Sequence, residues 1–156
     1  MKFLLTILLF SLLASCSKKG EQAKNDKDHD AKVVSHDTEH SHNSPNGGEL
    51  TELGEHEASL EWLIEEGQIK IYIFDGCAEK PIRIAQKEIK VTVKADNETQ
   101  LTLVPLTNKL TGEKPGDSNT FSASVKDLKQ EKISGINVHS LSIKGIDYIN
   151  VKLKVE

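Results

Sequence analysis

The chain has 156 residues, with 20 lysines and arginines against 24 aspartates and glutamates and a formal net charge of -4. This length fits one domain, and an acidic balance without a basic face excludes nucleic acid as a partner. The sequence contains no nucleophile motif, phosphate-binding glycine loop or zinc-peptidase signature. A cysteine paired with a histidine, Cys77 with His56 or His139, is the one conceivable nucleophile and base, so we expect no enzyme.

The amino terminus has the pattern of a processed leader. An apolar run from Phe3 to Leu13 follows Lys2 and is too short to cross a bilayer as a stable helix. The next residues, Leu13-Ala14-Ser15-Cys16, match a lipobox, in which the cysteine thiol accepts diacylglycerol. We therefore predict a signal peptide at residues 1–15 and a lipid on Cys16. An ordinary secretory signal with an incidental cysteine is the alternative.

Lipidation has consequences for compartment and stability. Several acyl chains give durable anchoring, and Ser17 after the cysteine indicates an outer-membrane protein that faces the periplasm of a bacterial cell envelope. With Cys16 consumed by lipid, Cys77 has no intramolecular partner. No internal disulfide is expected, so the apolar core must stabilise the domain.

Residues 16–45 are predicted to be a lipidated, disordered tether. Lysine, acidic, asparagine, serine and histidine residues dominate it, and such a composition cannot bury enough apolar surface to offset the entropy cost of ordering. A flexible chain of about 28 residues has a root-mean-square span of roughly 30 Å. The tether can therefore hold a domain away from a membrane surface.

Four of the six histidines lie in this tether, interleaved with carboxylates: His29, His36, His40 and His42. Neutral imidazole is a ligand for zinc, copper and nickel, and neighbouring carboxylates raise the local cation concentration. The spacing of two between His40 and His42, or of four between His36 and His40, can direct two nitrogens to one ion. A solvated, charge-mixed spacer without metal is the alternative.

The segment from Pro45 to Pro81 contains three short motifs: Asn46-Gly47-Gly48, then Leu53-Gly54-Glu55-His56, then an acidic strand that ends in Tyr72, Asp75-Gly76 and Lys80-Pro81. These motifs resemble a little-characterised family of bacterial envelope proteins associated with heavy-metal efflux adaptors. The family pattern commonly has histidine where this chain has Asn46. The resemblance implies an efflux adaptor as a partner and includes His56 as a candidate ligand.

Two loops of this segment carry candidate ligands. Glu55, His56 and Glu57 can offer nitrogen and oxygen donors beside the tether, or they can simply keep an exposed loop soluble. Cys77, between Asp75-Gly76 and Lys80-Pro81, can bind Cu(I) or form an intermolecular disulfide, or it can be a half-buried turn residue. His139 is interpreted as a bulge or surface residue.

The rest of the chain alternates apolar and polar residues with the period of β-strands. Rows of inward-facing residues are predicted on both sides of a turn at Glu66-Gly67, at Ile89 to Ala95 and from Phe121 onward. A β-bulge is predicted at His139-Ser140. The last inward-facing row consists of Ile149, Val151, Leu153 and Val155. About seven short strands predict an all-β domain at residues 46–156, an immunoglobulin-like β-sandwich. An open barrel is the alternative.

Two non-catalytic functions fit these features. The first is a lipid-anchored metal-binding accessory protein that buffers or delivers a transition-metal ion for heavy-metal efflux. Its candidate ligands are His29, His36, His40, His42 and His56, with Glu55, Glu57 and Cys77 as additional donors. The second is an interaction module that binds another envelope protein.

Overall fold

The computed structural model of the protein describes residues 43–155. Within this range the chain forms eight β-strands and a single turn of 3-10 helix at Gln130–Lys132. The strands are β1 (Glu49–Leu53), β2 (Ala58–Glu65), β3 (Gln68–Asp75), β4 (Ile89–Lys94), β5 (Glu98–Pro105), β6 (Thr120–Ser124), β7 (Gly135–Ile143) and β8 (Ile146–Leu153). The prediction of an all-β domain is confirmed.

The β2–β3 hairpin forms where the alternation predicted it. Its turn consists of Glu66 and Gly67, which have φ angles of 52° and 71°. Two successive residues with positive φ give a turn whose twist matches that of the flanking strands. The two strands then pair in register along their full length, from Ala58 opposite Asp75 to Glu65 opposite Gln68.

All eight strands described belong to one antiparallel sheet with the order β1-β2-β3-β6-β5-β4-β7-β8. Its two four-stranded halves join between β5 and β6 through only two paired positions, Val104 with Ser122 and Pro105 with Phe121. The sheet curls until β1 and β8 lie against each other. This nearly closed barrel resembles the open-barrel alternative more than a seven-strand sandwich of two separate sheets.

Side chains bridge the gap between β1 and β8. At one end the hydroxyl of Tyr148 donates to the Oε2 of Glu57 at 2.8 Å. At the other end the backbone N–H of Lys154 donates to the Oγ1 of Thr51 at 2.7 Å, and the indole N–H of Trp62 donates to the Lys154 carbonyl at 2.7 Å. These contacts hold the first and last strands together.

The barrel interior is filled by the inward rows of all eight strands. Burying each large apolar side chain contributes about 1.5–3 kcal/mol, so this core supplies the stability that a disulfide-free domain needs. Its largest fully buried apolar members are Trp62, Phe121, Leu60, Ile69, Ile71, Ile73, Ile89, Leu103, Leu141 and Ile143. One carboxylate, that of Glu61, is buried to the same degree.

The apolar alternation of β7 slips by one residue at His139-Ser140, since Val138 and Leu141 are both buried. However, β8 pairs with β7 in a single register. The inward and outward alternation of β8 also shifts by one residue opposite the same point, at Asn150, whose φ is 55°. No residue is inserted in either strand, so the predicted bulge is wrong. Because of the phase change, Ile149 is 69% exposed although the sequence placed it in the inward row.

Several predictions concern residues before position 43. The signal peptide at residues 1–15, the lipid site Cys16 and the tether histidines His29, His36, His40 and His42 lie outside the described residues. Between residues 43 and 155, no helix has the length and apolar character that crossing a membrane requires.

Candidate functional site

Glu61 lies at the centre of β2, on the strand face that the alternation assigned to solvent. Its neighbours across the sheet are Leu50 on β1 and Tyr72 on β3. The side chain is nevertheless 0% exposed, and no lysine, arginine or histidine in residues 43–155 forms an ion pair with it. A buried carboxylate without a cation needs hydrogen-bond donors, because burial otherwise costs several kcal/mol.

The donors come from the segment that precedes β1. The N–H groups of Asn46 and Gly48 donate to Glu61 Oε1 at 2.8 and 2.9 Å, and the hydroxyl of Ser44 donates to the same oxygen. The side-chain amide of Asn46 donates to Oε2 at 2.7 Å. Hydrogen bonds to an ionised acceptor are about twice as strong as neutral ones. Residues 44–48 together with Glu61 are called the Glu61 junction below.

The two glycines explain why this motif can form the junction. Gly47 has a φ of 76°, which glycine adopts without steric cost, and this turn directs successive N–H groups toward one acceptor. At Gly48 a Cβ would overlap the carbonyl oxygen of Trp62 and come within 3.0 Å of the Leu63 Cβ. Any larger residue at position 48 would therefore lift the segment away from β2.

The Glu61 junction fixes the point at which the chain enters the domain. Ser44 was assigned to the tether by the sequence, yet its hydroxyl and carbonyl both make ordered contacts, the carbonyl with the N–H of Gly47 at 3.3 Å. Asn46 occupies the position at which the resembled family commonly has histidine. In this chain its amide donates to Glu61.

The loop that carries His56 lies at the opposite end of β1. Five residues of strand separate it from the Glu61 junction, a distance of about 16 Å. His56 has a φ of 61°, its Nδ1 contacts the carboxylate of Glu52, and its side chain is 57% exposed. Glu57 accepts the hydrogen bond from Tyr148, and Glu55 is exposed. The three predicted donors therefore do not converge on one point.

Cys77 lies at the exposed tip of the loop after β3, with a free thiol. Asp75 organises this loop, because its Oδ1 accepts the N–H groups of Glu79 at 2.9 Å and Lys80 at 3.1 Å. These bonds, that from Lys80 foremost, lower the pKa of the Asp75 carboxyl below its usual value. The half-buried alternative for Cys77 is wrong.

The loops of His56 and Cys77 are adjacent. Gly76 packs so closely on the His56 backbone that a Cβ there would overlap the His56 carbonyl oxygen. In the part of the chain that the structure describes, however, no three histidine, cysteine, aspartate or glutamate side chains are grouped to hold a metal ion. His139 is also elsewhere, half-buried with its Nε2 2.7 Å from the Thr92 hydroxyl oxygen.

Tyr148 gives a pH-dependent test of the contact between β8 and the His56 loop. Burial, with the hydrogen bond to Glu57, raises the pKa of Tyr148 from 10.0 to about 12. The unfolded chain therefore loses this proton first, so the contribution to stability is complete below pH 10 and is lost as the pH rises toward 12. We expect Tyr148→Phe to flatten the fall in unfolding free energy across that window, measured by urea denaturation. An unchanged slope would contradict the contact.

Glu61 is the functional residue that sequence reasoning missed. It belongs to the polar row of a strand with regular alternation, and such a row ordinarily faces water. The available signal was the Asn46-Gly47-Gly48 motif, since a glycine pair before an edge strand supplies backbone N–H groups that need an acceptor. Only the fold shows that Glu61 is that acceptor.

The chain matches no protein-family model, no curated protein and no solved structure. The resemblance to envelope proteins associated with heavy-metal efflux stays a prediction.

Proposed function

We propose that this protein is a lipid-anchored, periplasmic metal-binding accessory protein of the bacterial outer membrane. Cys16 carries the lipid, and the histidine-rich segment that follows it binds a zinc, copper or nickel ion, which the protein buffers or delivers to a heavy-metal efflux adaptor. The protein has no catalytic activity in this proposal. The observation that carries it is the interleaving of His29, His36, His40 and His42 with carboxylates.

The geometry of the domain supports a protein in which the histidine-bearing segment binds the metal ion and the barrel does not. The Glu61 junction fixes the end of the histidine-bearing segment through four hydrogen bonds to one carboxylate. The residues before it can then bind a metal ion without disturbing the barrel. His56 is exposed but about 16 Å along β1 from the junction, so it is a secondary ligand in this proposal.

Metal titration tests the proposal. The protein is purified from membranes in detergent, the mass of its amino-terminal peptide reports the lipid on Cys16, and calorimetry follows zinc, copper and nickel binding. We expect binding at neutral pH that is lost as the pH falls below about 6.5, where free imidazoles become protonated. Replacing His29, His36, His40 and His42 with alanine should abolish it, whereas His56→Ala should weaken it by a smaller factor.

The controls separate specific ligation from general attraction by acidic residues. A variant with the tether residues scrambled and its histidines replaced by asparagine keeps the charge and the length. Equal metal affinity of this variant and the natural chain would overturn the proposal. The interaction-module alternative would then be preferred, since the described residues form a nearly closed barrel without a grouped metal site.

A further inference from the structure

A groove of about 510 Å³ lies on the outer face of the half-barrel formed by β4, β7 and β8. It forms where Gly135, the first residue of β7, leaves the sheet surface without a side chain beside Lys94 of β4. A Cβ at Gly135 would lie 3.9 Å from the nearest atoms, which belong to the Lys94 side chain. The groove is therefore open space that larger residues at this position would fill.

The polar lining of this groove consists of neutral side chains, two lysines and one carboxylate, that of Glu98. Thr92, Asn137 and Lys152 form one row across the three strands, because Thr92 pairs with Asn137 and Asn137 with Lys152. Ser134 and Asn150 add a hydroxyl and an amide. Hydroxyl, amide and ammonium groups together can hold an anion and the hydroxyls attached to it.

Two lysines, Lys94 of β4 and Lys152 of β8, line the groove. Lys152 makes no ion pair with any residue between positions 43 and 155. Lys94 is paired with Glu98 at 3.7 Å, but both side chains are about 60% exposed. Such surface pairs contribute less than about 1 kcal/mol, so an anionic ligand can replace Glu98 as the partner of Lys94.

Asn150 is a second feature of the groove. It has a φ of 55°, a left-handed conformation that asparagine adopts more readily than most residues other than glycine. Here it coincides with the phase change of β7 and β8 and places Asn150 in the groove lining. The backbone turn at Asn150, the groove and two lysines therefore lie at one location.

We propose that this groove binds a small ligand that carries a phosphate or carboxylate group together with hydroxyl groups, with Lys94 and Lys152 holding the anion. Its volume is that of a typical small-molecule site. Ser134 and Asn150 then accept or donate hydrogen bonds to the neutral part of the ligand, since the Thr92 hydroxyl is bonded to His139 and the Asn137 amide faces the carbonyls of Asn150 and Val151. This site is independent of the histidine segment and adds a second binding activity to the metal site proposed above.

Nuclear magnetic resonance titration of the purified protein tests this site, with glucose 6-phosphate, glucuronate and neutral glucose as probes. We expect saturable shifts of the amide signals of Gly135, Asn137 and Asn150 with one or both anionic probes, at a dissociation constant of about 1 mM or tighter, and none with glucose. A response to glucose 6-phosphate alone assigns a phosphate site. A response to glucuronate alone assigns a carboxylate site.

Three variants decide whether the groove is responsible. Lys152→Gln should weaken binding by about tenfold or more, the factor expected for one charge-assisted hydrogen bond. Gly135→Thr should block the groove while keeping a strand-forming residue. Lys109→Gln, which removes an exposed lysine from a loop outside the groove, should bind as the natural chain does. Failure of both anionic probes to saturate, or equal affinity in Lys152→Gln and Lys109→Gln, would overturn the proposal.

Discussion

Replacing Glu61 with glutamine is expected to lower the free energy of unfolding by about 2–4 kcal/mol. Glutamine preserves the shape of the side chain but replaces one acceptor oxygen with a donor and removes the charge. At least one of the donors from Ser44, Asn46 and Gly48 then faces an N–H group in place of the oxygen of a fully buried carboxylate. Urea denaturation of the natural and variant proteins measures the difference.

A local measurement distinguishes the Glu61 junction from a general loss of stability. With Glu61→Gln, residues 44–48 should detach from β2, so limited proteolysis should cleave near Asn46-Gly47 under conditions in which the barrel stays folded. Glu65→Gln on the same strand is the matched control. Glu65 is exposed and pairs with Lys70 at 2.6 Å, a contact that contributes less than about 1 kcal/mol. Equal effects of the two changes would contradict the role assigned to Glu61.

Gly76→Ala is expected to destabilise the domain by about 3 kcal/mol or more. The added Cβ would overlap the carbonyl oxygen of His56 and lie 3.0 Å from its Cα. A backbone obstacle cannot rotate away as a flexible side chain can. The loops after β1 and β3 would therefore have to separate, which disturbs the hydrogen bond of Tyr148 to Glu57 and the turn held by Asp75.

Gly135→Ala is the matched control for this change. Gly135 is also a glycine without positive φ, but the nearest atom to an added Cβ is 3.9 Å away, which is ordinary van der Waals contact. We expect its unfolding free energy to stay within about 1 kcal/mol of the natural value, because alanine loses less backbone entropy than glycine on folding. If Gly76→Ala were as stable as Gly135→Ala, the close contact between the two loops would be disproved.

The sequence by itself determined most of the strands and turns of residues 43–155. Alternation with period two predicted the strands, and Glu66-Gly67 predicted the β2–β3 turn, because both signals depend on residues adjacent in the chain. The sequence also located His56 and Cys77 in loops. These features follow from local backbone preference.

Only the tertiary structure decided which polar residues are buried and which strands become neighbours. Glu61 looked like a solvent-facing residue, and its burial depends on a segment more than ten positions earlier in the chain. Likewise, Ile149 is exposed because the inward and outward alternation shifts at the same point in β7 and β8. The sequence of either strand alone does not reveal this shift. Contacts between distant segments set both outcomes, and the periodicity of a single strand contains no information about what covers its outer face.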